Sequence, residues 1–225
     1  MQHPPSPNAA TSPETAVARA GLAGVSRETL ARLSRYVDLL RDWQRVKNLV
    51  APGTLDAVWE RHVADSAQLV ALAPDARRWL DLGSGAGFPG MVVAILLAET
   101  PGARVDLVEA NSRKAAFLRT VARETGAPAV VHAGRIEDVI ASWREPVDAI
   151  SARAFAPLVE FCALAAPLLA RGVPAWLHKG ADFAAEREEA SHAWNLDLVE
   201  HPSRLGSGVI VELRRAVPRP ASRRP

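Results

Sequence analysis

Trp79-Leu80-Asp81-Leu82-Gly83-Ser84-Gly85-Ala86-Gly87-Phe88-Pro89-Gly90 joins one apolar run to a second, residues 91–98, through an acid and a cluster of glycines. The pattern predicts a buried strand, a tight loop and a helix. Glycines let the backbone take positive φ and let a ligand come close to the main chain. Pro89 suits the first turn of a helix, where a missing N–H costs little.

Two nucleotide-binding patterns fit these residues. Gly85-Ala86-Gly87-Phe88-Pro89-Gly90 is a literal G-x-G-x-x-G, the dinucleotide fingerprint. The glycines begin earlier, however, at Gly83, and Asp81 stands before them. An acid ahead of G-x-G-x-G resembles the first motif of S-adenosylmethionine (AdoMet) methyltransferases, where a close backbone suits an ammonium and a carboxylate better than a pyrophosphate. A bare strand–helix turn explains three glycines in five residues poorly.

Beyond the hinge, residues 79–82, 104–109, 129–132, 147–151 and 174–178 read as strands. Helices follow at about 89–100, from after Asn111 or Ser112 to 125, at about 136–143, from Pro157 to near Gly172 with a kink or break at Pro167, and at 181–193. Two last strands, about 197–201 and 208–214, lack a helix between them and predict an antiparallel pair. The fold class is therefore α/β: a mostly parallel, Rossmann-like sheet with helices on both faces and a C-terminal antiparallel hairpin. Ahead of it, Ser26 caps a helix with Leu30, Leu33, Val37, Leu40 and Trp43 on one stripe, reaching about Lys47 with Asn48 as its stop. A second helix starts at Thr54 or Leu55 and reaches Leu72. The expected organisation is a mobile tail (1–25), a helical extension (26–75), an AdoMet-binding domain (76–215) and a disordered basic tail (216–225).

The chain has 225 residues, 48% of them hydrophobic, enough for one domain with a sizeable core. No apolar run spans a bilayer, and the prolines of the first residues argue against a signal peptide. A single cysteine, Cys162, excludes an internal disulfide and agrees with a reducing cytoplasm. Net charge is +2, and five arginines in the last twelve residues more than account for it. Gross charge therefore does not announce a nucleic-acid partner, and any RNA contact on the body must come from a local patch. No histidine spacing points to a metal, and a monomer is expected.

Ligands of such sheets bind beyond the carboxyl ends of the strands. Glu109 ends the second strand, where an acid accepts hydrogen bonds from ribose hydroxyls of AdoMet and NAD alike. Ile136 and Glu137 follow the third strand; they offer an apolar contact and an acceptor to an adenine, or Glu137 is simply a first-turn acid. Arg153 ends the fourth strand as a binder of phosphate or of a cofactor carboxylate, or as a surface cation. Phe155 is a base-stacking candidate or core. Lys179 ends the fifth strand as a phosphate binder or a solvated lysine. If the second N-terminal helix crosses the cleft, Arg61 and His62 join Lys114 and Arg153 in one basic rim.

Together these segments resemble the bacterial small-subunit ribosomal RNA (guanine-N7) methyltransferases, the glucose-inhibited division protein B family. The carriers are Trp43-Gln44-Arg45-Val46-Lys47-Asn48-Leu49, Arg61-His62-Val63-Ala64-Asp65-Ser66, the glycine hinge with its Phe-Pro-Gly ending, Lys114-Ala115-Ala116-Phe117-Leu118, Arg135-Ile136-Glu137, Ser151-Ala152-Arg153-Ala154-Phe155 and Lys179-Gly180. The resemblance covers about residues 30–214. It implies AdoMet contacts at Gly83, Ser84, Gly85, Phe88, Glu109, Ile136, Glu137 and Arg153, and a guanine of small-subunit rRNA as substrate. RNA contacts are expected at Arg61, His62, Lys114 and Lys179. The family often has a serine directly before the arginine; here Ala152 intervenes, so no role is carried over to Ser151. N7 of guanine carries a lone pair and no proton, so the transfer needs no general base. The alternatives are a small-molecule methyltransferase and a noncatalytic AdoMet-binding RNA module.

Overall fold

Residues 12–45, 49, 55–154 and 156–220 are described by the structure, a computed structural model. The expectations for residues 1–11, 46–48, 50–54, Phe155 and 221–225 lie outside the described residues. That includes the Val46-Lys47-Asn48 part of the first family segment and the helix stop at Asn48.

Among the described residues seven strands form one sheet: β1 (Arg78–Leu82), β2 (Arg104–Glu109), β3 (Ala129–Ala133), β4 (Ala149–Arg153), β5 (Ala175–Lys179), β6 (Trp194–Pro202) and β7 (Val209–Pro218). Their order is β3-β2-β1-β4-β5-β7-β6. The first five are parallel, and β7 runs antiparallel to both β5 and β6. Strand order reverses between β1 and β4, which opens a crevice at their carboxyl ends. The central strands are buried on both faces, as the continuous apolar runs of β1 and β4 require.

One face of the sheet is covered by α1 (Pro13–Arg19), α2 (Arg27–Gln44), α3 (Asp65–Leu72), α4 (Gly90–Leu96) and α5 (Ser112–Thr125). The other is covered by α6 (Ile136–Ser142), α7 (Leu158–Leu169) and α8 (Phe183–Ala193). Local chemistry sets the helix starts. Ser26 Oγ accepts from the Thr29 N–H, and Asn111 Oδ1 accepts from the N–H groups of Arg113 and Lys114. Helix α3 is preceded without a break by a π-helical segment, Trp59–Ala64, which carries Arg61 and His62.

Three expectations are corrected. Residues 13–19, read as part of a mobile tail, form α1, capped by Ser12 and seated on the core through Ala16, Val17 and Ala20. Two small alanines and one valine on a seven-residue helix are too short a pattern for periodicity to register. At the other end β7 continues to Pro218, paired with Trp194, and the Arg219 N–H donates to the Ala193 carbonyl. Main-chain pairing holds a segment whose side chains carry no strand signal. Helix α7 runs through Pro167 and ends two residues later. One lost hydrogen bond in its last turn is outweighed by burial of Phe161, Cys162, Ala165, Leu168 and Leu169.

Candidate functional site

At the switch point β1 and β4 are in register, with Asp81 opposite Ser151. The Ser151 hydroxyl donates to Asp81 Oδ1 at 2.6 Å, both side chains fully buried. This bond ties the start of the glycine hinge to the neighbouring strand, and sequence reasoning missed it. An acid on one strand and a serine seventy residues away meet only through the register. Burial pushes the Asp81 carboxyl up to about 6, against the hydrogen bond from Ser151 and the pull of Arg153.

This has a pH consequence. Between about pH 4 and 6 the folded protein keeps a proton that an unfolded aspartate has released, so stability falls as pH rises through that window. Ser151→Ala removes a donor to the carboxylate, raises the folded pKa further and extends the fall above pH 6. The variant is expected to lose about 1–3 kcal/mol at pH 8 and distinctly less at pH 5. Thermal melts at the two pH values check this; equal deficits would show that the hydroxyl does not face a charged Asp81.

Past the hinge, the backbone opens on a cleft of about 500 Å³. Its lining brings together Gly83, Ser84, Gly85, Phe88, Glu109, Ile136, Glu137 and Arg153, with Lys114 at the same cleft, from four separate strand ends. Leu49, Ala86, Ala110, Arg135 and Ala154 complete it. Glu109, at the end of β2, accepts the Gly85 N–H on one oxygen and the Asn111 N–H on the other, each at 2.7 Å. The carboxylate thus sets the hinge conformation, with lone pairs left for a further donor. Gly85 has φ +57, and a Cβ there would meet nothing nearer than the Gly83 carbonyl at 3.8 Å, because that direction is open cleft. Ile136 is buried; Glu137 is exposed in the first turn of α6 and paired with Arg135 at 3.1 Å. Glu137 is thus a first-turn acid that also lines the cleft. Its own backbone N–H and then Arg135 lower its pKa.

Phe88 is held in a stack. The His62 ring lies 4.8 Å away and nearly parallel, Tyr36 packs at 5.3 Å, and the Arg153 guanidinium sits 5.1 Å over the ring. Tyr36 also donates its hydroxyl to the Ala86 carbonyl at 2.6 Å, a clamp on the loop that the helical stripe of α2 did not announce. Arg153 donates to His62 Nδ1 at 2.8 Å and to the Arg61 carbonyl at 3.3 Å, and lies 3.6 Å from Asp65.

The basic rim is accordingly smaller than expected. His62 belongs to the stack, and burial, then Arg153 and Arg61, lower its pKa to about 4. It is neutral and adds no charge. Lys179 is 12% exposed and bonded to Glu186 at 2.6 Å and the Ala156 carbonyl at 3.1 Å. It is a buttress between β5 and α8 rather than a free cation, since the partly buried Glu186 carboxylate pairs with it. Arg61 and Lys114 remain, the first exposed and the second half-buried. Among the described residues no group of His, Cys, Asp and Glu side chains is arranged to hold a metal, and no helix is long and apolar enough to cross a membrane. Cys162 is a buried thiol pushed up to about 12 by burial.

Residues 29–207 match the model of the family described as GidB, rRNA small subunit methyltransferase G. The ribosomal RNA small subunit methyltransferase G of Bradyrhizobium diazoefficiens is 54% identical over 200 residues, which cover 89% of this chain and 77% of that protein. Among solved structures, the cofactor-bound Rv0187 from MTB superposes with a TM-score of 0.58 at 18% identity, over 95% of this chain and 99% of that one. The O-methyltransferase TomG from Streptomyces achromogenes, in complex with SAM, gives 0.56 at 16% identity, over 88% and 95%. At such identities the structural likeness speaks for the methyltransferase fold alone, whereas the family match and the high sequence identity speak for descent. The chain belongs to the GidB family, ribosomal RNA small subunit methyltransferase G.

Proposed function

We propose that this protein transfers the methyl group of AdoMet to N7 of a guanine in small-subunit (16S) ribosomal RNA, by direct in-line attack and without a general base. The observation that carries the reading is the hinge itself: Glu109 bonded to the Gly85 N–H, at the mouth of a cleft that also holds Ile136 and Phe88. These residues fit AdoMet. The open direction at Gly85 admits a ligand against the main chain, the Glu109 carboxylate suits ribose hydroxyls, and Ile136 with Glu137 suits the face and amino group of an adenine. When bound, AdoMet supplies an electrophilic methyl carbon on a sulfonium.

The chain's own residues have little chemistry left to perform. N7 arrives unprotonated, so no side chain must take a proton. Rate comes from holding nucleophile, carbon and sulfur in line. Arg153 stays clear of the base because Asp65, His62 and Phe88 already hold it; a cation against the ring would oppose the positive charge that the purine acquires. The Hoogsteen edge is hidden in the deep groove of an A-form helix, so the target base is expected in a loop or in incompletely folded RNA.

Transfer of labelled methyl from AdoMet to small subunits or to rRNA lacking the modification is the test, with the modified base mapped. Label on N7 of a guanine is expected. No incorporation, with AdoMet binding confirmed, would overturn the assignment. Phosphate contacts fall to Arg61 and Lys114. Arg61→Ala with Lys114→Ala is expected to flatten the slope of log K for RNA against log salt by about 1–2, because each lost contact releases roughly one counterion fewer. Lys179→Ala, its ammonium already bonded to Glu186, should leave that slope nearly unchanged. Slopes measured by filter binding across a salt series decide both.

A further inference from the structure

A second cleft, about 800 Å³, adjoins the first; Arg153 and Ala154 line both. Its other walls include Asp65 and His178 and, on the first turns of α8 and just before it, Asp182, Glu186 and Glu189. Four carboxylates are a poor lining for RNA phosphate. The two cations present, Arg153 on Asp65 and Lys179 on Glu186, offset two of them and leave the charges of Asp182 and Glu189 in excess. A cleft next to the methyl donor that repels phosphate is suited to something else.

His178 shows what. Its side chain is only 7% exposed. Nε2 lies 3.0 Å from the Asp65 main-chain carbonyl, which can only accept, so Nε2 carries the proton. Nδ1 is then an acceptor, and it has no hydrogen-bond partner among the described residues. Burial lowers the pKa of the ring and so keeps that lone pair free of a proton. A buried acceptor left unpaired costs about 1–3 kcal/mol, a cost removed when a ligand donor reaches it.

Building on the methyl-transfer reading, we propose that the second cleft receives the target guanine base, and that His178 Nδ1 is a specificity-determining acceptor for its N1–H and 2-amino edge. Guanine presents two donors on the edge remote from N7. Adenine presents an acceptor at N1 and has no 2-amino group, so it leaves His178 unpaired and sets lone pair against lone pair. With that edge among acceptors, N7 faces the donor cleft past Ala154, while Arg153 stays on Asp65, His62 and Phe88. The carboxylates gain a purpose from the reaction. The N7 lone pair forms the new C–N bond as the C–S bond breaks, the C–S pair returns to sulfur, no proton moves, and the positive charge ends on the purine. Fixed negative charge around the base favours that outcome. Sites that read a polar edge reject analogues lacking it far more strongly than sites that read shape.

The test is calorimetry with guanosine and adenosine on the whole chain, in saturating S-adenosylhomocysteine, which keeps nucleosides out of the donor cleft. Wild type is expected to prefer guanosine by at least about tenfold. His178→Gln keeps a donor near the Nε2 position and loses the acceptor at Nδ1; the preference should fall to about twofold or less, with affinity for S-adenosylhomocysteine unchanged. His178→Asn keeps an acceptor near the Nδ1 position and should retain most of the preference. Equal binding of the two nucleosides by wild type, no binding of either at millimolar concentration, or an unchanged preference in the glutamine variant would overturn the inference. Loss of preference in a folded asparagine variant would do the same. None of these touches the activity assignment, which falls only if rRNA takes up no label while the donor binds.

Discussion

Gly85→Val is expected to weaken AdoMet binding by at least about 100-fold, some 2.7 kcal/mol, while the protein stays folded. The residue has φ +57, and its missing side chain points into open cleft. Two effects add. A branched side chain occupies the space through which a ligand reaches the backbone of the hinge. The left-handed conformation also costs an L-residue about 1–2 kcal/mol, which strains the loop toward another shape and breaks the bond from the Gly85 N–H to Glu109. The second effect should lower Tm by only a few degrees in a chain of this length. Calorimetry for the donor and a thermal melt separate the two. A variant that binds AdoMet within threefold of wild type would show that the ligand does not lie against this loop.

Gly90→Val, five residues away, is expected to do the reverse and damage the fold itself. A Cβ at Gly90 would sit 2.5 Å from Leu107 Cδ2 and 2.6 Å from both Cβ and Cγ of Asp81, all inside the core. Neither neighbour can yield. Leu107 is in the middle of β2, and Asp81 is pinned by Ser151. Overpacking of this kind costs about 1–3 kcal/mol or more, and the branched methyls of valine add to it. A fall in Tm of roughly 10 °C, or insoluble protein, is the expected result. An unchanged melting temperature would mean that α4 and β2 are not packed this closely. The contrast between these two glycines separates a ligand-facing position from a packing position within one motif.

Much of the lining of the candidate cleft was legible in the sequence because it lies on local signals. The hinge announces itself by glycine spacing. Glu109 is found by its distance from the hinge, Ile136 and Arg153 by their places at strand ends. Asn111 and Ser26 cap their helices as their side-chain chemistry predicts. What stayed hidden involves pairs remote along the chain. Tyr36 on Ala86, Ser151 on Asp81 and His178 on the Asp65 carbonyl each join segments whose relation only the fold supplies. The same cause misled the reading of charge. Lys179 and His62 look like free cations in a string of letters, yet Glu186 neutralises one and burial against Phe88 discharges the other.

By itself, then, the sequence determined the alternation of strands and helices, the hinge between the first strand and its helix, and the family, because hydrophobic period, turn chemistry and motif spacing act over a few residues. The tertiary structure decided which ionisable groups are charged, which acceptors are left unpaired and how two clefts meet at Arg153 and Ala154. Those properties depend on distance and dielectric, and both are set only when remote segments are brought together and water is excluded between them.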